Sequence, residues 1–218
     1  MDTRQGYLQE LERLQNEILS MGAMTKEAII KATESLKTKN VSLAEEVRKA
    51  DDQIDNKMQE IETACIRMIA TQQPVATDLR KIEAGIKTVL DLERIADYAE
   101  DIAKITIKLQ DEELIKPLTD IPKMAQIAQL MLDKALDAYV LGDSGKAEKI
   151  GEWDDQIDEL YGAIGSELVN VIQQDPSTAK QALQLMLAAK FMERIGDHIT
   201  NIAENAVYIA TGKRVSIS

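Results

Sequence analysis

The segment LERIADYAEDIA at residues 92–103 returns in altered form as MERIGDHITNIA at residues 192–203. Both segments contain Glu-Arg-Ile-x-Asp, and both place their apolar residues three or four positions apart. This spacing is the period of an amphipathic helix, whereas a half-buried strand would alternate apolar and polar residues. A long helix that occurs twice in one chain indicates an internal repeat.

Two further matches extend the repeat over most of the chain. The pentapeptide DDQID occurs at residues 51–55 and again at residues 154–158, an offset of 103 residues. The tetrapeptides TQQP and QQDP end at Pro74 and Pro176, an offset of 102, while the Glu-Arg-Ile-x-Asp segments are offset by 100. This drift indicates a small deletion in the second copy, so the chain consists of two related halves of about a hundred residues each.

Helix-ending residues divide each half into three long helical segments. Asn40 can end the first helix, and Ser42 with Glu45 forms an S-x-x-E capping box that predicts the start of the second. Gly142 and Asp143 mark the equivalent turn in the second half.

Later signals place the start and the end of the last helix and a break between the halves. Asp175 before Pro176 predicts an N-cap followed by proline at the first helical position, and Gly212 predicts the end of the last helix. Residues 111–122, DEELIKPLTDIP, contain two prolines and little periodicity, which is typical of a linker.

The composition supports the same architecture. Hydrophobic residues make up 44% of the chain, charged residues 29% and aromatic residues 3%, which favours a globular, helical protein. We predict an all-α fold that repeats an antiparallel three-helix bundle in tandem, with the halves joined end to end or side by side. The predicted bundles are residues 1–110 and 123–218, with the linker at residues 111–122.

Charge and cysteine content exclude several classes of function. The formal net charge is −12, so a phosphate backbone or an anionic membrane would repel the protein, and we expect no nucleic acid partner. The N-terminal residues lack the pattern of a secretory signal, and no stretch has the 18 apolar residues of a membrane span. The lone Cys65 lies in an apolar pattern and is expected in the core, which fits a reducing cytoplasm.

Acidic residues recur on one face of the repeated helices. Glu93, Asp97 and Asp101 stand at i, i+4 and i+8 beside the apolar stripe. Like charges at this spacing cost a helix roughly 0.2–0.5 kcal/mol per pair, so something must offset the repulsion. The other positions in this pattern are Glu193, Asp197 and Asn201 on the last helix, and Asp51, Asp55, Asp154 and Asp158 on the second helix of each half.

Two interpretations of these carboxylates stay open. They can form a solvated face that pairs with Arg94, Arg194 and nearby lysines, or they can converge on a multivalent cation. The chain has one Cys and one His, so it cannot build a Cys/His zinc site, and it lacks the Glu-x-x-His pairs of di-iron bundles. The remaining metals are magnesium, manganese, iron, or zinc held by carboxylates. We expect His198 to lie on the helix surface or at an interface rather than to bind the metal.

Several segments together resemble the PhoU family of phosphate-signalling regulators over nearly the full chain. The resemblance implies a cytoplasmic, non-enzymatic regulator of phosphate uptake that restrains a high-affinity phosphate ABC transporter and its two-component system. Its implied partners are the transporter ATPase and the phosphate-sensing histidine kinase, and a homodimer is expected. The segments that carry the resemblance are ADDQID from Ala50, QPVATDLRKI from Gln73, LERIADYAEDIA from Leu92, WDDQID from Trp153 and MERIGDHITNIAENA from Met192.

The resemblance also implies residue roles. Some members of the family bind iron or zinc clusters at E(D)-x-x-x-D motifs. This motif falls on Glu93, Asp97 and Asp101 in the first half and on Glu193 and Asp197 in the second, where Asn201 departs from the acidic pattern. An amide offers an oxygen without a charge, so the two sites are not expected to bind metal equally.

The Asp-Leu-Arg segment of the family corresponds to residues 78–80, where we interpret Asp78 as a helix cap or as a partner of Arg80. A carboxylate-bridged metalloenzyme would share the acidic stripes, but the sequence shows no evident nucleophile, base histidine or glycine-rich phosphate loop. A purely structural helical repeat would explain the bundles and leave the acids unexplained.

Overall fold

The computed structural model describes residues 3–217, and this part of the chain is helical with no strand. The residues form seven α-helices and one short 3₁₀ turn, Pro176–Thr178, between the last two helices. The helices are α1 Thr3–Thr38, α2 Val41–Gln72, α3 Thr77–Lys108, α4 Asp120–Leu141, α5 Ser144–Glu148, α6 Gly151–Gln174 and α7 Ala179–Thr211.

The cap at the start of α2 differs from the sequence prediction. The side chain of Asn40 accepts a hydrogen bond from the backbone N–H of Leu43 at 3.1 Å, so Asn40 is the N-cap. The predicted capping box of Ser42 and Glu45 is therefore wrong. Ser42 already lies inside the first turn of the helix, because the Asn40 side chain satisfies the free N–H group two residues earlier than predicted.

Asn40 does not end α1, which stops at Thr38 with Lys39 in the left-handed conformation, but three other predicted helix ends are confirmed. Gly142 adopts a left-handed conformation, with φ of 62°, and ends α4; Asp143 then caps the short helix α5, which the sequence did not predict. Asp175 accepts a hydrogen bond from the backbone N–H of Ser177 at 3.0 Å and caps the proline-containing turn. Gly212, with φ of 72°, ends α7.

The segment between the halves is held by both of them. No helix covers residues 109–119, and Pro122 lies in the first turn of α4, where proline is tolerated. The side chain of Gln181 accepts a hydrogen bond from the Ile115 N–H at 2.7 Å and donates one to the Glu113 carbonyl at 2.9 Å. Lys39 donates to the carbonyl of Glu112 at 2.8 Å. The connection is therefore attached to α7 and to the α1–α2 turn.

The two halves pack side by side in two layers. One layer follows the order α2, α3, α7 and α6, and α1 and α4 pack beneath it against each other and against α3 and α7. Helix α3 contacts α7 more extensively than it contacts any other helix. The predicted repeat of three-helix bundles is thus present as α1–α3 and as α4, α6 and α7, with the third helices at the centre.

A single hydrophobic core runs through both halves. Cys65 is fully buried in it, as predicted, and burial raises the pKa of its thiol to about 12. None of the helices within residues 3–217 combines the length and the apolar character that crossing a membrane requires.

Candidate metal centres

The predicted acidic residues of the first half come together between α2 and α3. Asp51 and Asp55 on α2 lie close enough to Asp97 for its charge to raise the pKa of both. The charge of Asp55 acts on Glu93 in the same way. Glu100, which the sequence analysis missed, also raises the pKa of Asp51 and Asp55. We call Asp51, Asp55, Glu93, Asp97 and Glu100 the first-half cluster.

Asp101 lies apart from this cluster. Its charge is not among the causes that raise the pKa of Asp51, Asp55 or Glu93, and its carboxylate accepts a hydrogen bond from Lys104 Nζ at 3.0 Å, an ammonium that also lies 2.5 Å from Glu100. Position i+8 is rotated about 80° from position i on a helix, whereas position i+7 is rotated by only about 20°. Glu100 is at i+7 from Glu93 and Asp101 is at i+8, so a strict i+7 count from Glu93 would have found Glu100.

Burial disfavours the charged form of the carboxyl groups in the first-half cluster. Burial, with the nearby charges of Glu100, Asp55 and Asp97, raises the pKa of Asp51 to about 7. Burial followed by the charge of Asp97 raises the pKa of Asp55 and that of Glu93. The Oδ1 atoms of Asp51 and Asp55 are inaccessible to solvent, and neither accepts a hydrogen bond from any described residue. Buried acceptors of this kind call for a proton, a water molecule or a cation.

The second half repeats the arrangement between α6 and α7. Burial, with the charges of Asp197 and Asp158, raises the pKa of Asp154 to about 6. Burial followed by the charge of Glu193 raises the pKa of Asp158 and that of Asp197. We call Asp154, Asp158, Glu193 and Asp197 the second-half cluster. Thr200 occupies the position that Glu100 has in the first half, so this cluster has one carboxylate fewer.

Basic side chains neutralise part of each cluster. Arg94 donates to Asp97 at 2.9 Å and Arg194 donates to Asp197 at 3.1 Å, as the interpretation of a salt-bridged face requires. Lys190 donates to Glu193 at 2.6 Å. Within the described part of the chain, no three Asp, Glu, His or Cys side chains are arranged so that they could hold a metal ion as they stand.

His198 lies at the seam between the halves, so of the two positions expected for it, the helix surface or an interface, the structure has the interface. Its Nδ1 is 2.9 Å from Asp91 Oδ1, and Asn201 donates to the same Asp91 oxygen at 3.2 Å. Asn201 therefore contacts α3 rather than the second-half cluster.

The seam has an approximate two-fold symmetry. The 100-residue offset makes Asp91 equivalent to Phe191 and Tyr98 equivalent to His198. The first pair of contacts joins Asp91 to His198, and the second stacks Tyr98 on Phe191 with ring centroids 5.8 Å apart. These contacts show that α3 and α7 are antiparallel. The two clusters lie on opposite sides of this helix pair, one towards α2 and one towards α6.

Neither role expected for Asp78 is seen in the Asp-Leu-Arg segment at residues 78–80: the N-cap of α3 is Ala76, without a side-chain cap, and the Arg80 guanidinium bonds to Thr77 rather than to Asp78. Arg80 donates to the Ile209 carbonyl at 3.3 Å in the last turn of α7, where a positive charge is favourable. Asp78 lies in the first turn of α3, and together with burial it raises the pKa of Tyr7 to about 12.

Comparison with known sequences identifies relatives over almost the whole chain. A family model described as the PhoU domain matches residues 18–106 and 121–206. A phosphate-specific transport system accessory protein PhoU homolog from Clostridium acetobutylicum is 40% identical, with 99% of each chain covered. Its counterpart from Aquifex aeolicus is 43% identical over 94% of this chain and 93% of that protein.

Solved structures have the same architecture. The crystal structure of PhoU from Pseudomonas aeruginosa matches with a TM-score of 0.90 at 34% identity, and the match covers 95% of this chain and 100% of that one. The phosphate transport system regulatory protein PhoU from Streptococcus pneumoniae matches with a TM-score of 0.89 at 30% identity, over 96% and 99%. Two copies of one domain, the same helix arrangement and full-length similarity lead to one conclusion: the chain belongs to the PhoU family.

Proposed function

We propose that this protein is a non-enzymatic accessory regulator of phosphate transport whose acidic clusters hold multivalent cations. The relatives are named accessory proteins of phosphate-specific transport systems, and they match this chain over nearly its full length. The observation that carries the metal proposal is the pair of buried carboxylate oxygens in the first-half cluster that have no donor among the described residues. A phosphate-transport role accounts for the relatives, and cation binding accounts for the repeated acids.

The residues present suit a hard or borderline cation. Oxygen ligands from several carboxylates favour magnesium, manganese, iron or zinc, and one cation would offset the mutual repulsion within each cluster. Asp101 and Asn201 remain proposed ligands, although each now bonds elsewhere, to Lys104 and to Asp91. The proposed set is Asp51, Asp55, Glu93, Asp97 and Asp101, with Glu100 added, in the first half, and Asp154, Asp158, Glu193, Asp197 and Asn201 in the second.

A bound cation would supply positive charge at an acidic surface, together with coordination positions for an anion or a carboxylate of a partner. The protein's own residues prepare this site. Burial keeps water from the Oδ1 atoms of Asp51 and Asp55, and Arg94 and Arg194 hold Asp97 and Asp197 in place through one oxygen each.

The proposed partners are proteins. A net charge of −12 opposes nucleic acid binding. Because the relatives are named accessory proteins of phosphate transport systems, we propose contacts in the cytoplasm with the ATPase of a phosphate ABC transporter and with a phosphate-sensing histidine kinase. We also propose a homodimer, for which sedimentation of the purified protein is the direct measurement.

The test is the double substitution Asp97→Asn with Asp197→Asn. We expect it to lower the bound metal, measured by elemental analysis of protein purified without chelator, and to weaken repression of phosphate uptake. Thermal stability of the metal-free protein should stay equal or rise, because each like-charge contact removed had cost a few tenths of a kcal/mol.

The matched control is Asp137→Asn with Glu159→Gln, which removes two exposed acids outside the clusters and should change neither readout. Unchanged metal content in the first variant would eliminate these residues as ligands. Lost metal with normal repression would assign the clusters to structure or storage instead of regulation.

A further inference from the structure

Exposed apolar side chains gather along the α2–α3 edge of the first half. Ile66 and Ile69 on α2, Val75 in the turn, and Leu79 and Leu90 on α3 are between 36% and 74% exposed. The extensive contacts of α2 are with α1 and α3, so its far side is open. We call these five residues the apolar strip.

The helical register places the apolar strip in line with the first-half cluster. On α3, Leu79, Ile86, Leu90 and Glu93 are separated by seven, four and three residues, spacings that keep them on one face. On α2 the order is reversed: Asp51 and Asp55 come first, and Ile66 and Ile69 follow on the same face. The complete stripes are residues 79, 86, 90, 93, 97 and 100 on α3 and residues 69, 66, 62, 58, 55 and 51 on α2.

The two stripes run next to each other. The charges of Glu100 and Asp97 act on Asp51 and Asp55, so residue 100 of α3 lies near residue 51 of α2 and the two helices are antiparallel. In that register Ile66 is level with Ile86. The edge is therefore apolar towards the α2–α3 turn and acidic towards the other end, over a length of about 30 Å at 1.5 Å per residue.

The second half does not repeat the apolar strip. Lys190 occupies the position of Leu90, and its ammonium lies 5.2 Å from the centroid of the Tyr161 ring. Met186 occupies the position of Ile86 and closes over Gly165, where an added Cβ would be 3.4 Å from Met186 Cε. Val169 alone keeps the exposed character of its equivalent, Ile66. The apolar strip is thus a property of the first half and not a consequence of the repeat.

The α2–α3 turn keeps Val75 outside the core. Gln73 and Ala76 both have positive φ, and Ala76, with φ of 49° and ψ of −119°, adopts a conformation that only glycine takes without strain. Val75 between them is 74% exposed. Backbone strain next to an exposed apolar side chain is typical of a functional surface.

We propose that the apolar strip, continued by the first-half cluster, binds an amphipathic helix of a partner protein that carries apolar side chains on one face and lysines or arginines at one end. The apolar strip would bury the apolar face, and in the metal-free protein the part-exposed carboxylate of Asp97 would receive the basic end, so a bound cation and the basic end compete for the cluster. The inference rests on the proposed function, because it assigns the face and the chemistry of a regulatory partner. A helix of about 20 residues matches the length of the edge.

The probe is a synthetic, fluorescein-labelled helical peptide of about 20 residues, with leucines along one face and lysines in its last turn. Binding to the full chain, treated with chelator so that the acids are free, is measured by fluorescence anisotropy. We expect Ile66→Ser with Leu79→Ser to weaken binding at least about tenfold, and raising the salt from about 50 to about 500 mM to weaken it further.

The matched control is Val169→Ser with Leu183→Ser, which removes two equally exposed apolar side chains from the second half. Its affinity should stay within about twofold of the unchanged protein. All four residues are exposed, so circular dichroism should show intact folds in both variants.

Equal weakening in both variants, or no binding by the unchanged protein, would overturn the proposal. It would also fail if the first variant converted a dimer to a monomer and the peptide did not compete, since the occupant would then be a second copy of this chain. Phosphate-uptake repression by the cluster variants is measured separately, so a failed docking surface and a failed regulatory function remain distinguishable.

Discussion

Gly196 shows how one residue positions a carboxylate. A Cβ at this position would lie 2.7 Å from Asp154 Oδ1 and 3.3 Å from Ile157 Cδ1. The absent side chain lets Asp154 lie against α7 with only 6% of its surface exposed. In the first half the equivalent residue is Ala96, and its counterpart Asp51 is less buried. The missing methyl group at Gly196 therefore allows Asp154 to be more deeply buried than Asp51.

We expect Gly196→Ala to destabilise the protein by about 1–3 kcal/mol, because the added methyl must displace a buried carboxylate. The measurement is urea unfolding followed by circular dichroism. Gly162→Ala is the control: no atom lies within 4 Å of its added Cβ, so the better helix propensity of alanine should stabilise α6 by about 0.5–1 kcal/mol. A neutral Gly196→Ala would show that Asp154 does not depend on this close approach.

Helices α2 and α3 act as a pair at the next scale. The periodicity of each helix is visible in the sequence, but the rotation of one helix against the other decides which acids meet. That rotation turns Glu100 rather than Asp101 towards Asp51, while Lys104 pairs with both Glu100 and Asp101. Each helix alone would present its acids to water, where the repulsion between them is small. The pairing buries them, and burial is the largest cause of the raised pKa of Asp51.

This pairing predicts a pH dependence of stability. The pKa of Asp51 is about 7 in the folded protein, above its ordinary value of 3.8, so the folded state binds the proton more tightly than the unfolded state. The resulting stabilisation is complete below pH 3.8 and is lost as the pH rises through 7. Metal-free protein should therefore lose more unfolding free energy between about pH 5 and about pH 8 than Asp51→Asn does.

Urea titrations at both pH values, in the presence of chelator, give the comparison. The neighbouring Asp52 is exposed, and Asp52→Asn should retain the pH dependence of the unchanged protein. If the unfolding free energy changed equally between the two pH values in the unchanged protein and in Asp51→Asn, the assignment of the proton to Asp51 would be contradicted.

At the scale of the whole molecule, the two repeats of the sequence share one hydrophobic core. The core is continuous, and α3 and α7 at its centre belong to different halves. Neither third helix could keep its buried face without the other. The seam contacts of Asp91 with His198 and of Tyr98 with Phe191 lie on this central pair.

We therefore expect the two halves to unfold together. The chain has one tryptophan, Trp153 in the second half, so its fluorescence reports on that half while circular dichroism reports on both. The two urea transitions should coincide, and Phe191→Ala should shift both by the same amount, a loss of about 1–3 kcal/mol. The exposed substitution Val169→Ala should shift them by less than about 0.5 kcal/mol. Separated transitions would show that the halves are independent domains.

The sequence by itself determined the helical class, the repeat and most helix ends, because these depend on local spacing and on caps such as Asp175 and Gly212. It also pointed to eight of the acids that the structure gathers, since a helix keeps residues at i and i+4 on one face. The side-by-side packing, the seam at Asp91 and His198, and the choice of Glu100 over Asp101 were decided only by the tertiary structure. These features depend on how helices far apart in the chain rotate and pack against each other, and the periodicity within one helix holds no information about that contact.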